Sequence, residues 1–202
     1  MRYRTCWPNS SPPPPTAVGC GSSWTAPAAL PSTFADALVE PLARLGTRAV
    51  RVHAADFLRP ASLRFEYGRE DVDAYYDRWV DRAAIEREVL RPFGHSGRWL
   101  PALWDTAADR SARADYLTTA PPAVLVLDGS MLLGRGLGID LAVHLHLGDA
   151  ALRRRTADEE RWTLPAFGRY AVDVSPLAVA DVVVRVDDPR HPAIAVGGGH
   201  AG

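Results

Sequence analysis

The stretch Ala123–Gly129, Ala-Val-Leu-Val-Leu-Asp-Gly, most constrains what this chain can fold into. A continuous apolar run without polar alternation describes a strand covered on both faces, as in the middle of a parallel α/β sheet. The run stops abruptly at a carboxylate and a glycine. Open α/β sheets bind ligands at the carboxyl ends of their strands, so Asp128 is either a site residue or the cap of the next turn.

The flanking segments supply the rest of such a fold. From Ser32, with Ser32 or Thr33 as cap, the residues Phe34, Ala37, Leu38, Leu42 and Leu45 share one helical face. Pro41 interrupts that helix and Gly46 ends it. Arg48–His53 reads as a strand with Asp56 just beyond its end. Arg82–Arg91 reads as a helix, Gly94–Gly97 as a turn and Arg98–Asp105 as an extended piece. Ile139–Leu147 is a second apolar strand carrying His144 and His146 on one face, either as packed imidazoles or as two ligands of a metal site whose third ligand has no candidate. Asp149 can cap a helix that ends in Arg153-Arg154-Arg155. Leu164, Phe167, Ala171 and Val174 mark a further helix, and Asp181–Val186 the last strand. This alternation predicts a three-layer α/β domain, one parallel sheet with helices on both faces. The domain is expected over residues 32–189. Residues 1–31, with no strand or helix period up to about Leu30 and a Ser-Pro-Pro-Pro-Pro segment, read as an arm, and residues 190–202 as a tail.

Composition removes several classes of function. Basic and acidic side chains number 23 and 24, so nothing points to a nucleic-acid partner. No apolar run is long enough to span a bilayer, and the start of the chain lacks the order of a signal peptide. Cys6 and Cys20 are the two cysteines, too few for a zinc site or a disulfide framework, and a cytoplasmic location is expected. Gly134-Arg135-Gly136-Leu137-Gly138 looks like a phosphate loop but leads into a strand, the wrong context. Two segments stay open. Arg64, Phe65, Tyr67, Tyr75, Tyr76 and Trp79 form either the wall of a flat ligand or the underside of a surface helix. The arginines from Arg153 to Arg161 form either a solvated face paired with Asp158, Glu159 and Glu160, or a lid over phosphates.

Taken in order, Val50–Pro60, the Tyr75-Tyr76-Asp77 helix start, Arg98–Asp105, Val124–Gly129, Arg153–Arg161 and Ala180–Val184 resemble the uridine kinase-like branch of the P-loop kinases. The resemblance runs from about Ser32 to Pro192. It implies a P-loop NTPase fold, Mg²⁺ and ATP, and phosphoryl transfer to the 5′-hydroxyl of a nucleoside or to another small hydroxylated substrate, with no membrane partner. Such chemistry is mostly positioning and charge neutralisation. By position, Ser32 and Thr33 would sit at the phosphates, Ser32 and Asp128 at the metal, and Asp56 and Asp128 would be the catalytic acids. Arg153, Arg154, Arg155 and Arg161 would form the lid, and Arg59, Tyr67, Tyr75, Trp104 and Asp105 would meet the substrate.

The chain departs from the family at two places. Ser22–Pro31 stands where a Gly-Lys-Ser/Thr loop is required, and it contains neither glycine nor lysine. The family's catalytic acid matches Ala55, with Asp56 one residue later. Trp24 has the single codon TGG and threonine codons begin AC, so the frame starting on the third base of Trp24 reads Asp. With G or C in third positions the same shift from Ser22 spells Val-Val-Asp-Gly-Pro-Gly-Gly-Ala, the start of the family's loop. A shifted reading frame up to about Pro31 is therefore expected.

Overall fold

The computed structural model describes residues 16–22, 29–187 and 193–196. Strand β1 (Thr16–Ser22) leads to helix α1 (Ala29–Arg44). The helix ends where Gly46 takes φ 74°, letting the Thr47 amide donate to the Leu42 carbonyl and the Gly46 amide to the Ala43 carbonyl. A residue tolerant of positive φ closes a helix this way without strain. Strand β2 (Arg48–His53) ends in a single 3₁₀ turn, Ala54–Phe57. Three short helices follow: α2 (Ala61–Arg64), α3 (Val72–Asp77) and α4 (Arg82–Ile85). Asp71 and Asp81 cap α3 and α4, accepting from the amides of Ala74 at 2.7 Å and Ala84 at 2.9 Å. A π-helical turn, Glu86–Leu90, runs from α4 into α5 (Arg91–Ser96).

Four two-residue strands come next: β3 (Arg98–Trp99), β4 (Trp104–Asp105), β5 (Arg110–Ser111) and β6 (Leu117–Thr118). They pair as β3 with β6 and β4 with β5. The chain then forms β7 (Ala123–Ser130), β8 (Leu141–His146), α6 (Asp149–Arg155), a 3₁₀ stretch (Asp158–Thr163), α7 (Leu164–Asp173), α8 (Pro176–Val179), β9 (Val182–Arg185) and β10 (Ala193–Val196).

The main sheet has the order β10-β9-β8-β1-β7-β2, parallel throughout except for β10 on β9. Alternation along β7 sorts the layers. Leu125 and Leu127 pack with Phe57, Ile85, Val89 and Phe93 under α4 and α5. Val126, one residue out of phase, packs with Ala35 of α1, Val143 and Leu145 of β8 and Ala151 of α6. Helices therefore cover both faces, as the three-layer α/β reading requires. Complete burial of Leu125, Val126 and Leu127 is the physical content of the apolar run.

Several expectations need correction. No strand is predicted before about Leu30, yet β1 lies at the sheet centre between β7 and β8. Its backbone is paired on both sides, and such pairing overrides a weak local pattern. Helix α1 starts at Ala29, so Ser32 and Thr33 fall inside it and cannot be its cap. Leu45, assigned to the apolar face, is 80% exposed, whereas Ala35 is fully buried, because the chain turns away at Gly46. The expected turn at Gly94–Gly97 is helical through Ser96, with Gly97 at φ 68° closing it. Asp149 opens α6 as its first residue, with Gly148 as the cap. Ala193–Val196, in the expected tail, adds an edge strand. The remaining expected arm, residues 1–15 and 23–28, lies outside the described residues.

Candidate functional site at the carboxyl edge of β2 and β7

Polar residues at alternate positions of a strand share a face, and Arg51 and His53 do so on β2. In the parallel register His53 lies beside Asp128 of β7. The Asp128 side chain is 4% exposed and has two partners, a guanidinium and an imidazole. Arg51 Nε donates to its Oδ1 at 3.0 Å, and His53 Nδ1 meets its Oδ2 at 2.9 Å. Arg51 also pairs with Asp36, tying the cluster to α1. A carboxylate removed from water requires such partners. Gly129 makes the approach possible, because a Cβ there would lie 2.5 Å from the Ala54 Cβ. The Asp-Gly pair thus has two separate jobs: the acid anchors β2, and the glycine lets the turn after β2 close over β7.

Asp56 sits in that turn, half-buried. Burial pushes its carboxyl above the usual range, helped by the charge of Asp128 and opposed by His53 and Arg51. The hydrogen bond to Asp128 pushes His53 upward, against desolvation and the nearby Arg51. His53 is 38% exposed at its side chain, so one side of the ring reaches solvent. The Leu103 amide donates to the Asp56 carbonyl at 2.9 Å and brings β4 to the same edge. Acid, imidazole and carboxylate in three different environments can accept, hold and orient hydrogen bonds from a polar ligand.

The other sequence-predicted positions divide. Trp104 donates from Nε1 to Asp109 at 3.0 Å, and Asp105 accepts from the amides of Ala107 and Ala108. Both therefore shape the β4–β5 ribbon beside Asp56. The Arg59 carbonyl accepts from Arg64 Nε. Tyr67 is 57% exposed beneath the Arg78 guanidinium. Tyr75 is buried in an aromatic cluster with Trp79, Trp162 and Phe167, and burial raises its hydroxyl pKa far above normal. Its ring is a packing element between α3 and α7.

Arg153 and Arg154 are exposed on α6, Arg155 donates to the Asp187 carbonyl at 2.8 Å, and Arg161 pairs with Asp158. Arg153 and Arg161 also line a cavity of about 610 Å³ with His144, His146, Phe167 and Pro176. His144 and His146 do share a face, their rings 5.8 Å apart, and no group of three metal-ligating side chains occurs among the described residues. Ser32 and Thr33 lie in α1, and their side chains are outside the described residues. Arg51 and His53 were not predicted as site residues. The signal for them was present as two ionisable residues at i and i+2 in the carboxyl-terminal half of the strand, alternating with Val50 and Val52.

No family model matches this chain, and no curated protein does. Among solved structures, one named as a possible uridine kinase from Bacillus stearothermophilus aligns with a TM-score of 0.67 at 17% identity, over 87% of this chain and 90% of that one. One named as a fructose transport system kinase, from Silicibacter, aligns at 0.57 and 21% identity over 82% of each chain. Phosphoribulokinase from Rhodobacter spheroides aligns at 0.55 and 13% identity, over 86% of this chain and 69% of that one. No helix among the described residues is long and apolar enough to cross a membrane. The chain shares the α/β fold of these three kinases.

Proposed function

We propose that this chain is a uridine kinase-like protein that keeps the acceptor side of the site. A nucleoside, or another small hydroxylated molecule, binds at the carboxyl edge of β2 and β7, and ATP-dependent phosphoryl transfer to its hydroxyl is impaired. The observation that carries this reading is the gathering of Asp56, His53 and Asp128 at the one sheet edge where α/β folds take ligands. Trp104 and Asp105 border the same edge. Arg153, Arg154, Arg155 and Arg161 supply the positive charge for phosphates in this reading, and a cytoplasmic location goes with it.

The phosphate side does not fit the family's cofactor. The chain has no lysine at all, so all 23 basic side chains of the Lys/Arg class are arginine. Both oxygens of Asp128, the metal ligand implied by resemblance, are taken by Arg51 and His53. The described residues therefore do not form a magnesium–nucleotide site. Loss of a preorganised phosphate cradle removes the largest electrostatic term such a reaction has. We assign the missing loop to a shifted reading frame up to about Pro31. Resequencing decides this, because third positions that fail to spell the motif exclude it.

A second reading, a non-catalytic homologue that binds a nucleoside, nucleotide or protein, is favoured by the same double engagement of Asp128. Thermal unfolding with uridine, with Mg-ATP and with both tests the two. A ligand that binds the folded state at a hundred times its Kd adds about 2.7 kcal/mol. Stabilisation by uridine with no product formed selects the binding homologue. Phosphorylated product, however slow, selects the impaired kinase. No response to either ligand removes the nucleoside and nucleotide forms of both readings.

A further inference from the structure

The sequence pattern offers Asp56 as the group that meets the ligand's hydroxyl, but the tertiary structure builds a different one. His53 Nδ1 lies 2.9 Å from Asp128 Oδ2, and Arg51 Nη2 lies 3.3 Å from the same nitrogen. A buried carboxylate can only accept, so the proton sits on Nδ1 and is donated to Asp128. In the neutral ring that leaves the lone pair on Nε2, which makes no hydrogen bond among the described residues, in a side chain that is 38% exposed. Arg51, bonded to the other oxygen of Asp128, prevents the carboxylate from rotating away. An imidazole locked in one tautomer by a buried acid, with its far nitrogen open, is a preorganised hydrogen-bond acceptor.

We propose that His53 is the hydroxyl-binding residue of this edge: Asp128 fixes its Nδ1–H, and Nε2 accepts a hydrogen bond from a hydroxyl of the bound small molecule. Asp128 and Arg51 act through His53 as positioning residues. This rests on the acceptor-side reading above for the place of the ligand, but not for its being a nucleoside. The charged groups facing His53 are Asp128 on β7, Arg51 on β2 and Asp56 in the turn after it. Asp36 of α1 reaches it through Arg51.

Imidazole-detected ¹⁵N NMR of the full chain, with and without uridine or ribose, tests this directly, and Tm is measured in parallel. The expected result is an Nδ1–H tautomer for His53, an Nε2 signal that moves on adding a probe, and loss of the fixed tautomer in Asp128→Asn. In His53→Gln the Kd for the responding probe should weaken about tenfold, the worth of one net hydrogen bond, and more than in Asp56→Asn. A merely structural His53 would move neither the tautomer nor Nε2 on ligand addition.

The outcomes separate cleanly. Uridine that raises Tm without moving Nε2, or an Nε2–H tautomer, overturns the proposal and leaves the acceptor-side reading standing. A response to ribose without one to uridine supports the proposal and removes the nucleoside. No response to either probe, in Tm or in Nε2, overturns both.

Discussion

Two ion-pair networks of similar bond lengths sit in this molecule, and burial makes them different objects. At the β2–β7 edge, Arg51 and His53 hold Asp128 at 3.0 and 2.9 Å, with the carboxylate side chain 4% exposed. Between α3 and α7, Arg169 reaches Asp73, Asp77 and Asp173 at 2.8, 3.4 and 3.1 Å, with its own side chain 41% exposed. Water screens the second set and each pair contributes little. In the first set the carboxylate has given up water, so removing a partner strands a buried charge. Distances alone do not distinguish the networks, whereas solvent exposure does. Under the proposed function, ligand chemistry belongs at the first, where geometry is fixed by buried neighbours. The second serves to align α3 and α7 alongside the Tyr75–Phe167 aromatic packing.

The largest effect should come from breaking the buried side of that comparison. Asp128→Ala leaves Arg51 and His53 facing an empty, water-poor position, and a loss of about 3–5 kcal/mol is expected. Differential scanning calorimetry should show Tm falling by on the order of 10 °C. A change within error would mean that the network is solvated.

The next effect is a pH dependence that only the buried side shows. Because Asp128 raises the pKa of His53 on folding, the folded state binds that proton more tightly than the unfolded chain. The sign follows: this stabilisation is complete below the ordinary histidine value of 6.5 and is lost as pH rises through the raised value. Tm measured from pH 6 upward should therefore decline, and the decline should vanish in His53→Gln. A Tm that rises with pH there would contradict a His53 pKa raised by folding.

Smaller still is Arg169→Ala, expected to lower Tm by at most a few degrees. That loss should shrink in high salt, which screens exposed charges but not buried ones. If Asp128→Ala showed the same salt dependence, the distinction between the networks would fail. Smallest is Arg44→Ala on α1, whose partner Glu40 is 75% exposed. No measurable change in Tm is expected there.

Comparison of sequence and structure shows where local information ended. The β2 bounds, the central β7 strand, the two-faced cover of the sheet and the aromatic segment after β2 were legible, because each is written in an apolar period or its absence. Strand β1 was not legible. Thr16–Ser22 is a short run of small residues with no amphipathic signal, and its place is set by pairing with β7 on one side and β8 on the other. The start of α1 was misplaced for a related reason: Ala29-Leu30-Pro31 has no capping side chain, yet the helix begins there.

For the site, the residues offered Asp128 and Asp56 as acids at strand ends, and the family resemblance pointed to the missing Gly-Lys-Ser/Thr. That absence is a fact of composition which no fold can restore. Only the tertiary structure decided what Asp128 does. On its own strand it is an acid at an edge, available to a metal, a cap or a substrate. The parallel register puts His53 beside it and alternation puts Arg51 on the same face, so both of its oxygens are engaged. A carboxylate's role depends on which groups replace its water, and those groups lie on a strand far away in the chain.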